Sequence, residues 1–184
     1  MKLAGASRRF ENGRCFRAWS STLPFSALRG YATGMPSKIE RAWVAGMIDA
    51  DGCVTMCKSG PSSYRRPIVV VDNTDHEILD ELQRLYGGSL VKKRRDKEHH
   101  RQCWSWRLYG ANIVLAFLKE IVPFMHCKVK RDRAQLLLKS YKALTPRNGC
   151  YTDADRKRKD AFEIKFMGTG AGRGSQTRTY WRVI

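Results

Sequence analysis

The sequence predicts an α+β fold, with a four-stranded antiparallel sheet covered by helices on one face. Three observations lead there. Segments of helical period alternate with pairs of short β-rich runs, in the order helix, strand, strand, helix, strand, strand, helix, helix. Each pair of runs is joined by a polar turn rather than a crossover helix, which suits antiparallel neighbours. The helices then have one sheet face to cover.

Residues 1–36 stand apart from that pattern. They carry Lys2, Arg8, Arg9, Arg14, Arg17 and Arg29 against the single acid Glu11, with Ser and Ala interspersed. Such an Arg-rich, acid-poor leader predicts a mitochondrial transit peptide, to be kept out of the fold. "RGYAT" at 29–33 resembles a mitochondrial processing site. Cleavage is therefore expected near Tyr31, leaving Ala32 as the first residue of a protein of the mitochondrial matrix. The alternative is a basic arm that stays on the chain and binds nucleic acid.

The domain is expected over residues 37–144. Its first helix opens on a capping box, Ser37-Lys38-Ile39-Glu40, and runs through Trp43, Val44, Gly46 and Met47 to about Asp49. "CVTMCK" (53–58) and "RRPIVVV" (65–71) read as strands around the turn-rich "SGPSSY". Thr74-Asp75-His76-Glu77 reads as a second capping box, with Thr74 as the cap. It opens "EILDELQRLY", which stops at Gly87-Gly88. "SLVKKRR" and "QCWSWRLY" form the second strand pair around "DKEHH". "ANIVLAFLKEIV" is an apolar helix ended near Pro123. "KVKRDRAQLLLKSYKAL" is amphipathic, with Ala134, Leu137, Leu138 and Tyr141 at helical spacing. Residues 145–184 read as a basic extension: a charged helix, "DADRKRKDAFEIKF", then a flexible tail around "GTGAGRGSQTR".

The charge balance narrows the partner. There are 35 Lys+Arg against 17 Asp+Glu, a net charge of +18. A polyanion is expected, because neutralising phosphates releases counterions. Removing residues 1–31 takes away six basic residues and one acid, so the remainder stays strongly basic. No apolar run approaches the ~20 residues that span a bilayer, so no membrane partner is expected. Cys15, Cys53, Cys57, Cys103, Cys127 and Cys150 include no C-x-x-C pair, and free thiols in a reducing compartment are the default. A zinc site drawn from Cys53, Cys57, His99, His100, Cys103, His126 and Cys127 would match no standard spacing.

One stretch needs explaining. "VAGMIDADGCV" (44–54) places Asp49 and Asp51 at the end of the first helix, where the backbone dipole already presents negative charge. Its first nine residues resemble the signature of the LAGLIDADG homing endonuclease family, matching at Ala45, Gly46, Ile48, Asp49, Ala50, Asp51 and Gly52. "YGGSL", "WSWRLYG" and "PF…KVKRDRAQ" extend the likeness over about residues 38–142.

The resemblance implies a saddle-shaped sheet on DNA and, from a single copy of the motif, a homodimer on a near-palindromic duplex site. Small Ala45 and Gly46, with Ile48 and Asp49, would form the dimer interface. Each helix would deliver Asp51 to the two-fold axis. Facing carboxylates repel unless cations lie between them, which implies Mg²⁺ or another hard divalent ion. Its ligands would be Asp51 and the Ala50 carbonyl, with Asp49 as a cap or secondary ligand. Lys130 takes the place of a basic residue near the scissile phosphate, and Asn73-Thr74 stands where the family often has Gln-Lys. The implied catalytic set is Asp51, Lys130 and Asn73. Strand alternation puts Trp104, Trp106 and Leu108 against the helices and Arg101, Cys103, Ser105 and Arg107 on the other face. Arg101, Ser105 and Arg107 join Arg65, Arg66, Lys92, Lys93, Arg94, Arg95, Arg131 and Arg133 as expected nucleic-acid contacts.

Two functions follow. One is a site-specific DNA endonuclease that hydrolyses phosphodiesters with a divalent metal. The other is a domesticated mitochondrial RNA-binding protein, an intron-splicing maturase or a mitoribosome-associated protein, without cleavage. Intact Asp49 and Asp51 favour the first. Asn73-Thr74, the leader and the basic tail favour the second.

Overall fold

Helix α1 (Lys38–Ala50) begins where the capping box predicts. Ser37 Oγ accepts from the Glu40 amide at 3.2 Å, and Glu40 Oε2 accepts from the Ser37 amide at 2.7 Å. The reciprocal pair satisfies two amides that have no partner inside the helix. These details belong to a computed structural model that describes residues 35–58, 64–95, 97, 99–146 and 149–170. The expected leader, its cleavage near Tyr31 and the tail beyond residue 170 lie outside the described residues.

After α1 the chain reverses at Gly52 into β1 (Gly52–Cys57). A Cβ on Gly52 would lie 2.6 Å from Ile48 Cα, so only glycine lets the strand leave this close to the helix. β2 (Arg66–Asn73) returns antiparallel, and α2 (His76–Tyr86) follows. The cap of α2 is Asp75, not Thr74. Asp75 Oδ1 accepts from the Glu77 amide at 3.0 Å, and Asn73 Oδ1 accepts from the Asp75 amide at 3.0 Å. Thr74 is spent on the bend out of the sheet, so the helix starts one residue later. An ionised cap also suits the positive end of the dipole better than a hydroxyl.

β3 (Ser89–Lys92) and β4 (Trp104–Leu108) complete a four-stranded, wholly antiparallel sheet in the order β1-β2-β4-β3. Alternation assigns its faces. Val54, Met56, Val69, Val71, Trp106 and Leu108 point to the helices and join one hydrophobic core. Trp106 is fully buried, and its indole N–H donates to the Gly87 carbonyl at 2.8 Å, which leaves no orphaned donor.

α3 (Ala111–Ile121) ends in a 3₁₀ turn, Val122–Phe124, at Pro123. α4 (Lys128–Leu136) continues through a wide π-helical turn, Leu137–Tyr141. α5 (Asp153–Gly168) corresponds to the charged helix of the expected extension, but it is part of the domain. Phe162 and Phe166, one turn apart, belong to the same core, and Glu163 Oε1 accepts from the Arg65 amide at 2.8 Å. The sequence hides this because one aromatic pair is embedded among many charges. Among the described residues no helix is long and apolar enough to cross a membrane.

Candidate functional site

The two acids of the motif have separate surroundings. Asp49 Oδ2 accepts from the backbone amides of His126 and Cys127, the latter at 3.0 Å and itself the N-cap of α4. Its other oxygen, Oδ1, is buried with no hydrogen-bond partner. Asp49 is thus the cap of a neighbouring helix. In the opposite direction, Lys130 from the first turn of α4 closes α1. Its ammonium donates to the carbonyls of Ile48 (2.9 Å), Asp49 (2.7 Å) and Ala50 (3.2 Å). An acid of α1 caps α4, and a base of α4 caps α1. The reciprocal arrangement resolves the puzzle of acids at a helix C-terminus, because the end that carries them also holds a cation.

Asp51 is left outside that exchange. It is the C-cap residue, exposed, with its amide donating to the carbonyls of Met47 and Ile48. Asn73 Nδ2 donates to Asp51 Oδ2 at 3.2 Å, while Asn73 Oδ1 secures the start of α2. The structure therefore brings together Asp51, Asn73 and Lys130 around the α1–β1 turn. The Ala50 carbonyl is also there, already engaged by Lys130. All three donors of the Lys130 ammonium are used, so the side chain acts here as a helix cap and presents no N–H outward.

Two expected interface residues are placed elsewhere. Ala45 and Ile48 are fully buried within the chain's own core. The outer stripe of α1 is instead Ile39, Trp43 and Gly46, with Ala50 below, all exposed. The motif's periodicity marks a helix with two apolar sides, and one sequence cannot tell which side the sheet takes. Space for a Cβ on Gly46 is entirely open in the single chain.

The expected nucleic-acid contacts divide likewise. Arg66 is exposed on the sheet face opposite the helices, and Lys93 follows β3 on that side. Lys93, Arg94, Arg95, His100, Arg101 and Cys103 line an open cavity of about 190 Å³ beyond the β3–β4 end of the sheet. Arg107 lies on the same face and donates from Nε to Ser105 Oγ at 3.1 Å. Ser105 is fully buried, so its hydroxyl supports Arg107 and is not itself presented. Lys92 alternates to the helix side, with its ammonium 5.7 Å from the Trp104 ring centre. Arg65 is tied to Glu163, Arg131 donates to the Met125 carbonyl, and Arg133 donates to the Thr169 carbonyl while lying over Phe166. These three hold loops and α5 in place. Sequence charge alone cannot separate such anchors from a binding face.

Reading from the sequence missed Asp72. It stands on the open face, in register with Ser105, and pairs with Lys93 Nζ at 2.7 Å. Partial desolvation raises the Cys53 thiol against the opposing charges of Arg133 and Lys130, and Asp72 adds to the rise. The alternation of "IVVVDN", carried to its end, would have placed Asp72 on this face.

Among the described residues, no group of three or more His, Cys, Asp or Glu could hold a metal ion. One chain offers a single exposed carboxylate at the α1 end, well short of the six or more oxygens a hard divalent cation takes.

Comparison with known proteins agrees with this architecture. Residues 38–122 match the model of the LAGLIDADG-like domain. The chain is 28% identical over 119 residues to the DNA endonuclease I-CvuI of Chlorella vulgaris, covering 61% of this chain and 70% of that protein. A crystal structure of I-CvuI with DNA aligns at a TM-score of 0.59 and 22% identity, over 77% of this chain and 87% of that one. The LAGLIDADG homing endonuclease I-SmaMI, bound to cleaved DNA, aligns at 0.52 and 18% identity, over 72% of this chain and 44% of that one. The fold of this chain is accordingly the one seen in LAGLIDADG homing endonuclease structures, and residues 38–122 are similar to the LAGLIDADG-like domain.

Proposed function

We propose that the chain is a homodimeric, site-specific DNA endonuclease of LAGLIDADG type that hydrolyses phosphodiesters with a divalent metal in the mitochondrial matrix. One observation carries the reading: the uncovered stripe of α1 leads directly to the exposed Asp51. Two copies packed through Ile39, Trp43 and Gly46 would bring two Asp51 carboxylates together. What a single chain lacks in oxygen ligands, a second chain, the DNA phosphates and water would complete. Asp51, with the Ala50 carbonyl beside it, would hold Mg²⁺. Bound there, the metal supplies charge neutralisation and an oriented water for attack on phosphorus.

The chain's own residues account for the rest. Asn73 fixes the exposed Asp51 carboxylate through one oxygen. Lys130 neutralises the helix end on which that carboxylate sits. Arg66, Lys93, Arg107 and the basic cavity at 93–103 set the duplex in register through its phosphates and base edges. The similarity to I-CvuI, a DNA endonuclease, supports DNA as the substrate.

The test is to incubate the full chain with equal pools of random duplex DNA and of structured RNA, then sequence what it retains. The reading expects one duplex motif with a two-fold-related core. Retention of RNA in preference to duplex would replace it with an RNA-binding function on the same face.

A further inference from the structure

Among the described strand residues of the open face, all but one are basic or neutral. Cys53, Thr55, Cys57, Arg66, Ile68, Val70, Ser89, Val91, Ser105 and Arg107 share that face with a single acid, Asp72. An acid opposes phosphate, so a surface built only for affinity would exclude it. Its surroundings are also incomplete. Oδ2 is held by Lys93 at 2.7 Å, whereas Oδ1 is shut off from solvent and has no hydrogen-bond partner. Ser105, directly across the ladder, has its oxygen turned to Arg107. With Oδ1 closed off and the side chain still one-third exposed, Oδ2 is the accessible oxygen, and beside Lys93 it keeps a lone pair with which to accept.

We propose that Asp72 is a specificity-determining residue that accepts a hydrogen bond from the exocyclic amino group of a base, cytosine N4 or adenine N6, in the major groove. This rests on the DNA-binding reading above. These amino groups are the only donors that bases present in that groove, whereas guanine and thymine offer acceptors that a carboxylate repels. Lys93 holds the Asp72 carboxylate in place through Oδ2. A two-fold dimer repeats the contact once in each half-site.

The experiment compares base preference in random duplex pools, with every protein carrying Asp51→Asn so that the DNA stays whole. Asp72 should select cytosine or adenine at one position per half-site, and the base recovered identifies which amino group is read. Asp72→Ala should lose about tenfold discrimination at that position and no other. Asp72→Asn retains size and an acceptor oxygen, so it keeps the comparison available if the alanine variant fails to fold; it should weaken the same preference with melting temperature unchanged. An equal rise in affinity for all sequences, with the preference intact, would overturn the proposal and reduce Asp72 to a charge. Failure of the Asp72-containing protein to select any duplex would overturn the DNA-binding reading itself, and this inference with it.

Discussion

At the scale of single residues, the site depends on how four side chains divide their hydrogen bonds. Asp49 is committed to two amides, Lys130 to three carbonyls and Asn73 to both Asp51 and the Asp75 amide. Of the four, Asp51 alone is exposed. Lys130→Met keeps the length of the side chain and removes the cap. It should cost about 2 kcal/mol of stability, the worth of a charge-assisted set at a half-buried helix end, as read from denaturant unfolding. An unchanged midpoint would mean that the ammonium is free for phosphate instead. Asp49 and Asp51 were legible as special in the sequence because carboxylates are misplaced at a helix end. Their division of labour was not, because it depends on amides at 126 and 127 that lie far along the chain.

At the scale of elements, α1 and α5 carry the most consequential differences from expectation. α1 was recognisable from its cap and its apolar period, but that period fits two faces. Burial assigns Ala45 and Ile48 to the sheet side and leaves Gly46 outside. Gly46→Leu should therefore raise the stability of the single chain by up to about 1 kcal/mol, since glycine is a poor helix former and a Cβ meets nothing there. The same change should abolish the dimer, as sedimentation equilibrium would show. A leucine variant that stays dimeric would move the interface off this stripe. α5 looked like an appendage because its charges dominate the sequence. Its packing is closed by Lys159, which is fully buried, donates to Thr145 Oγ1 at 2.8 Å and lies 3.9 Å from the Tyr141 ring centre. Burial lowers its pKa to about 8, against an opposing pull from Glu163. A folded-state value below the unfolded one means that the unfolded chain binds more protons. Lys159 therefore opposes folding most at neutral pH, and that penalty fades as pH rises above about 8. Lys159→Met should raise the melting temperature at neutral pH and flatten its rise toward alkaline pH. Thr145 remains satisfied in that variant because its hydroxyl donates to the Tyr141 carbonyl. A variant that melts lower at neutral pH would show that the ring contact and hydrogen bond outweigh the lost water.

At the scale of the whole molecule, the sheet order β1-β2-β4-β3 and its helix-covered face follow from a pattern visible in the sequence. Strand pairs were readable because alternation and polar turns are local signals. The depth of the domain was not, since α5 is tied to the core by contacts of Phe162 and Phe166 with residues far away in the chain. The basic face was readable as a net charge but not as a surface, because Arg65, Arg131 and Arg133 are spent on internal anchors. On the proposed function, two copies would meet along α1 and set paired Asp51 carboxylates over a duplex held on the open sheet. The most direct measurement is cleavage of the selected duplex with Mg²⁺, by the native chain and by Asp51→Asn side by side. The native chain should cut both strands at one site near the two-fold centre, while the variant should bind with unchanged affinity and cut neither. Binding without cleavage by the native chain, or cleavage that survives Asp51→Asn, would contradict the account.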